Sequence, residues 1–206
     1  MDNDTDRYGN FDDLAHDQEQ KEGVDYKRVV NDRNAPGAII APHGGGIEPG
    51  TSEIARAIAG EEFSGYCFEG WKGTGNGELH ISSVNFDEPW CVGLVERSRT
   101  VLSIHGCDND DGQVVHVGGL DVDTGAKLIL ALTNAGFPAK VDTTRHSGLE
   151  ARNICNRCIS GRGVQLEIAD GVRRGMFQGW NRRGREKTTQ SFMRFVDAVR
   201  GALAQL

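Results

Sequence analysis

The stretch that decides the fold is GAIIAPHGGGIEPGTSEIARAIAG, residues 37–60. Gly37–Ala41 is a short run of small and branched apolar residues, which reads as a buried strand. Thr51 or Ser52 can cap a helix over EIARAIA, and Gly60 stops it. Between strand and helix, His43 and Glu48 bracket four small or apolar residues. A glycine-rich loop of this kind can cradle an oxyanion, wrap a phosphate or face a metal ion.

The same alternation continues outward. GYCF (65–68) and ELHIS (78–82) read as short strands around the loop GWKGTGNG. Asp87 can cap a helix beginning EPWCVGLV, with Pro89 in its first turn. TVLSIH (100–105) is a strand of branched residues, and Asp121 or Asp123 opens a helix that carries AKLILALTNAG. AKVD (139–142) and GVQLEI (163–168) are strands again. A final helix lines up Phe192, Phe195, Val196, Val199, Leu203 and Leu206 on one stripe. Strands alternating with helices imply a single α/β domain over 35–206, its sheet mixed but mostly parallel and flanked by helices.

Charge is unevenly placed along the 206 residues. Residues 1–25 carry nine Asp/Glu against two Lys/Arg, the whole of the net charge of −7. This acidic lead-in, to residue 34, is expected to be solvated and partly disordered. Arg145–Lys187 holds ten Arg/Lys against four Asp/Glu, a basic segment suited to an anionic partner. No apolar run reaches the ~18 residues of a membrane span, and an acidic N-terminus cannot serve as a signal peptide. Synthesis in the cytoplasm is expected, as is a monomer. Five scattered cysteines, an odd number, read as reduced thiols, and Cys155-x-x-Cys158 as a structural pair without a second pair to complete a zinc ribbon.

In an open α/β sheet, ligands sit beyond the carboxyl ends of the strands. His43 lies just after GAIIA, His105 closes TVLSIH, and Glu167 lies late in GVQLEI. Two imidazoles and a carboxylate with a free fourth position form a common catalytic zinc set, which His43, Glu48 and His105 can supply. Glu167 remains as a carboxylate beside the ion. His-x4-Glu is not a sharply defined motif, so other readings must be weighed. HGGG lines the oxyanion hole of some esterases, but no serine here sits in G-x-S-x-G. No Gly-Lys-Ser/Thr exists for a phosphate loop, and GTGNG lacks a dinucleotide continuation. DNDDG (108–112) hints at calcium, but position 119, where an EF-hand needs glutamate, is Gly119; it reads as a turn. His80, between Leu79 and Ile81, fits a structural role and a substrate contact equally well.

Five ordered blocks, APHGGGIEPGTSEI, ELHISSVNFDEP, LSIHG, VGGL and NICNRCISGRGVQLEI, resemble the poly-γ-glutamate hydrolase family known from bacteriophages. The likeness covers roughly residues 35–177, more loosely the final helix, and leaves the lead-in outside. It implies a zinc peptidase with a fold similar to the metallocarboxypeptidases, metal on His43, Glu48 and His105, and Glu167 as catalytic carboxylate. Those carboxypeptidases space their first two ligands as H-x-x-E, and their substrate-holding Asn-Arg pair precedes the third ligand, whereas Asn156-Arg157 follows it. A γ-linked polyglutamate keeps every α-carboxylate free, so arginine forks suit it. Arg157 and Arg162, then Arg152, are the first candidates. Another zinc amidohydrolase acting on peptidoglycan or small peptides stays open. A nucleic-acid binder is disfavoured, because only Phe177 and Trp180 interleave the basic segment. Action on an extracellular capsule after lysis is compatible with all of this.

Overall fold

A computed structural model describes residues 6–108, 113–143 and 147–204. Its first elements are α1 (Phe11–His16), capped by the Asn10 side chain, and β1 (Tyr26–Asn31). The expectation of a solvated lead-in fails here. Tyr8, Phe11, Leu14 and Tyr26 are buried, and Phe11 packs edge-on against Tyr26 and Phe68. Tyr8, Phe11 and Leu14 recur every third residue, so one face is apolar although the average composition is acidic. The acids are partly spent at home, with Arg7 bonded to Asp17, Glu19 and Glu78.

The chain then runs through β2 (Gly37–Gly45), α2 (Thr51–Ala59), β3 (Ser64–Gly70) and α3 (Pro89–Arg97). Next come β4 (Thr100–Cys107), β5 (Val115–Gly118), α4 (Val122–Asn134) and β6 (Ala139–Val141). β7 (Val164–Ala169), α5 (Asp170–Gly175), α6 (Arg182–Arg185) and α7 (Gln190–Leu203) complete it. The seven strands form one sheet in the order β1-β3-β2-β4-β7-β5-β6. β1 and β3 are antiparallel, as are β5 and β7; the other pairs are parallel. A mixed, mostly parallel α/β sheet is therefore the architecture.

Side chains alternate between two cores, as the period of a strand requires. Ile39, Cys67, Leu102, Ile104, Leu166 and Ile168 face α2, α4 and α7. Ile40, Tyr66, Phe68 and Val101 face α1, α3 and the segment around Leu79 and Ile81. The α7 stripe is buried as expected through Leu203, while Leu206 lies outside the described residues. So do residues 109–112 of the DNDDG turn, and Arg145 of the basic segment.

Several local expectations are corrected. α2 is capped by Gly50 at φ 99°, a left-handed turn that neither Thr51 nor Ser52 could adopt without strain. Both hydroxyls instead bind the preceding loop: Thr51 donates to the Glu48 carbonyl, and Ser52 accepts from the Gly45 N–H. Glu88, not Asp87, caps α3, because Asp87 is taken by the Phe11 N–H. ELHIS forms no strand; a 3₁₀ turn covers Asn76–Leu79, and Leu79 and Ile81 alternate inward without a ladder partner. β5 has only four residues and carries no sequence signal strong enough to separate it from a loop.

One feature of the topology positions the site. From β2 the chain crosses through α2 to β3 on one side, then through α3 to β4 on the other. β2 and β4 pair only as far as Ile40↔Ser103. Beyond that point β2 bulges between Ala41 and Gly44, where Pro42 has no N–H to give. The carboxyl ends of the two strands thus part at a topological switch point.

Candidate metal centre

His43 and His105 stand at the two parted strand ends, both buried. Their Nδ1 atoms lie 3.0 Å apart. Glu48, from the loop after β2, brings Oε1 to 3.0 Å from His43 Nδ1 and Oε2 to 3.6 Å from His105 Nδ1. A tetrahedral ion with bonds of ~2.0–2.1 Å spaces its ligand atoms by about 3.3 Å, so these separations suit one small cation.

The hydrogen bonds on the far sides set the direction of each donor. His43 Nε2 is 2.8 Å from the Ile81 carbonyl, which can only accept, so the proton sits there and Nδ1 presents a lone pair. His105 Nε2 meets the hydroxyls of Ser103 at 2.8 Å and Ser83 at 3.4 Å. Glu48 Oε2 accepts from the Gly106 N–H at 2.8 Å. The two Nδ1 atoms and the Glu48 carboxylate therefore converge on one point, and the hydroxyls behind His105, able to donate or accept, leave its Nδ1 lone pair open to a cation. The residues fit a metal ion.

Burial alone would raise the Glu48 carboxyl, but whenever the imidazoles carry protons on Nδ1, the charge of His43 and the hydrogen bonds from both rings hold it well below its usual range. Glu167 is driven the opposite way. Burial is the main cause, followed by the negative charges of Glu48 and Asp142. Gln165 donates to Glu167 Oε1 at 2.9 Å. Two neighbouring carboxyls pushed apart in this manner are suited to different tasks, one ionised and one able to hold a proton.

Register brings Glu167 alongside the centre. It is the Cα partner of His105 on β4 and of His116 on β5, so the three side chains share one face of the sheet. His116, on β5, therefore stands beside Glu167. Nothing in the sequence marked it, because its strand went unread.

The basic candidates fare differently. Arg157 pairs with Glu96 of α3 at 2.9 Å, and exposed Arg152 with Glu150 at 3.2 Å. Asn156 is buried: it donates to the carbonyls of Gly148 and Glu150 and accepts from Gly163 N–H. With its hydrogen bonds spent on backbone, it holds the loop before β7 rather than a ligand. Arg162 is exposed and has no side-chain partner among the described residues. His80 is drawn close, its ring packed at a 37° tilt against His43 with centroids 3.9 Å apart.

Sequence reasoning also missed Arg173. This buried guanidinium donates to the carbonyls of Ile168, Pro49 and Cys107 at 2.8, 2.7 and 3.0 Å, tying β7, the Glu48 loop and β4 together. A Cβ on Gly106 would meet the Arg173 Cζ at 2.4 Å, so any larger residue there displaces the guanidinium from its carbonyls. All five cysteines are free, and Cys155 and Cys158 are buried.

Fold and donor set together define a candidate for metal-assisted hydrolysis on an α/β sheet. The poly-gamma-glutamate hydrolase family matches residues 8–198, and the chain belongs to that family, a family of hydrolases. A bacteriophage poly-gamma-glutamate hydrolase of known structure is 35% identical, with a TM-score of 0.93 over 98% of each chain. A zinc-free structure of YndL is 35% identical, with a TM-score of 0.91 over 97% of this chain and 98% of that one. The SPbeta prophage-derived UPF0714 protein YoqZ of Bacillus subtilis (strain 168) is 40% identical over 185 residues, 89% of this chain and 66% of that protein. The family match begins at residue 8, so most of the acidic N-terminal stretch is part of the family domain rather than an appendage. Among the described residues, no helix is long and apolar enough to cross a membrane.

Proposed function

We propose that the protein is a zinc-dependent hydrolase of the γ-glutamyl amide bonds of poly-γ-glutamate. The convergence of His43, Glu48 and His105 beside Glu167, a carboxyl whose proton affinity burial raises, carries this reading. A bound divalent ion would polarise the scissile carbonyl and acidify water. His43, Glu48 and His105 would hold it through Nδ1, a carboxylate oxygen and Nδ1. Glu167 takes the proton of the attacking water and delivers it to the leaving nitrogen, a role that its raised proton affinity supports. Gln165 orients that carboxyl, and the Gly106 N–H keeps Glu48 turned towards the imidazoles.

The substrate reading draws on the family and on charge. Arg162 is available to a polyanion, and Arg157 and Arg152 could exchange their surface acids for substrate carboxylates. The deciding experiment incubates the pure protein with poly-γ-glutamate, with and without chelator, and sizes the products. Chain shortening that stops with chelator and returns with zinc is expected. Shortening indifferent to chelator would overturn the metal role, and none on this polymer with cleavage of another amide would overturn the substrate.

A further inference from the structure

Residues 80–83 touch both imidazoles from behind. The His80 ring packs against His43, the Ile81 carbonyl takes the His43 Nε2–H, and Ser83 Oγ lies 3.4 Å from His105 Nε2. This segment has no ladder partner of its own among the described residues. The Ser83 carbonyl accepts from the Ile154 N–H, and a carboxylate from the far N-terminus grips residues 80 and 82. Asp6 Oδ1 accepts from His80 Nδ1 at 2.7 Å, and Asp6 Oδ2 accepts from the Ser82 N–H at 2.6 Å. The Asp6 side chain is only 14% exposed and that of His80 30%, so the clamp is mostly shielded from solvent.

We propose that Asp6 is a positioning residue of the metal centre, acting through residues 80–83 to fix the rings of His43 and His105. This inference rests on the zinc reading above. Both oxygens of one carboxylate grip residues 80 and 82, whose neighbours and ring supply outer contacts to the two histidines. Groups that orient metal-bound histidines from outside typically matter by about 10–100-fold in metal affinity or activity.

The test uses the full chain and measures zinc affinity by competition with a chelator of known affinity, alongside the melting temperature of the metal-free protein. Asp6→Ala and His80→Ala should each weaken zinc binding by about 10–100-fold. Asp6→Ala should cost less in a His80→Ala background than in the wild type, because the two act along one path. Asp6→Asn keeps an acceptor for the His80 N–H and should fall between wild type and Asp6→Ala; it also serves if Asp6→Ala does not fold. Arg7→Ala breaks the neighbouring tethers of the same arm to Asp17, Glu19 and Glu78, and should lower stability while leaving zinc affinity unchanged. Wild-type zinc affinity in Asp6→Ala, or an equal loss in Arg7→Ala, would overturn the positioning role. Failure of the wild type to take up zinc would overturn the underlying metal reading, and the proposal with it.

Discussion

His43 and His105 aim their Nδ1 atoms at each other across 3.0 Å, at the point where β2 and β4 stop pairing. With the His43 proton held on Nε2 by the Ile81 carbonyl, its Nδ1 lone pair is open to a cation, which would tie the ends of β2, β4 and the Glu48 loop together. Zinc should therefore stabilise the fold. At a hundredfold excess over its Kd, an ion that binds only the folded state adds about 2.7 kcal/mol, or roughly 5–10 °C in a domain of this size. Thermal melts with zinc and with chelator should differ by this amount in the wild type and coincide in His43→Ala. Equal melts in the wild type would count against a metal site.

Glu167 should be separable from the ligands. Glu167→Ala is expected to lower kcat by about 10²–10⁴-fold while zinc content, measured by elemental analysis, stays at the wild-type level. His43→Ala should lose both. An active Glu167→Ala enzyme would return the proton-transfer role to another group, with His116 across the ladder the first to examine.

The same carboxyl carries a stability cost with a defined sign. Its folded-state proton affinity is raised above the ordinary value of 4.5, chiefly by burial. Below that value both folded and unfolded chains hold it neutral, and nothing is lost. As pH rises from there towards the folded value, the unfolded chain ionises freely while the folded one resists, so stability falls. Glu167→Gln removes that penalty. In chelated protein it should melt higher than the wild type at neutral pH, with the gain shrinking to nothing as pH drops towards 4.5. A constant offset at every pH would mean that packing, not ionisation, sets the difference.

What could be read from the chain follows from how local each signal is. The β2–loop–α2 unit was legible because a buried strand, a glycine turn and an amphipathic helix each announce themselves within a few residues. His43, Glu48, His105 and Glu167 were legible as a group because strand ends in such sheets face one side. α1 and β1 were hidden by averaging, since an apolar residue at every third position is diluted by the acids between. Asp6 and His80 lie 74 residues apart, and nothing local in either joins them. The arginines misled for a related reason. Flanking β7 put Arg157 near the site along the chain, but its guanidinium reaches Glu96 on another helix.

That distinction among the arginines is testable. Exposed Arg162 has no competing acid among the described residues, whereas Arg157 and Arg152 already have partners worth ~0–1 kcal/mol each at the surface. Arg162→Ala should raise KM for poly-γ-glutamate with little change in kcat, and Arg157→Ala and Arg152→Ala should raise it less. KM for the wild type should climb with added salt, as screening weakens contact with a polyanion. A salt-independent KM would point to recognition of a single glutamyl unit instead.

Arg173 gives the last prediction. Its three carbonyl partners belong to β7, the Glu48 loop and β4, and Gly106, whose N–H orients Glu48, leaves no room for a Cβ beside its guanidinium. Replacing it by glutamine strands up to three buried acceptors, each worth ~1–3 kcal/mol, so a loss of roughly 3 kcal/mol or more is expected in denaturant unfolding. Arg173→Lys keeps the charge but can reach fewer of those carbonyls, and should recover only part of the loss. Gly106→Ala should behave like a mild version of Arg173→Gln, because the added methyl forces the guanidinium away. If Gly106→Ala is as stable as the wild type, the close contact between these two residues is not what holds β7, β4 and the Glu48 loop together.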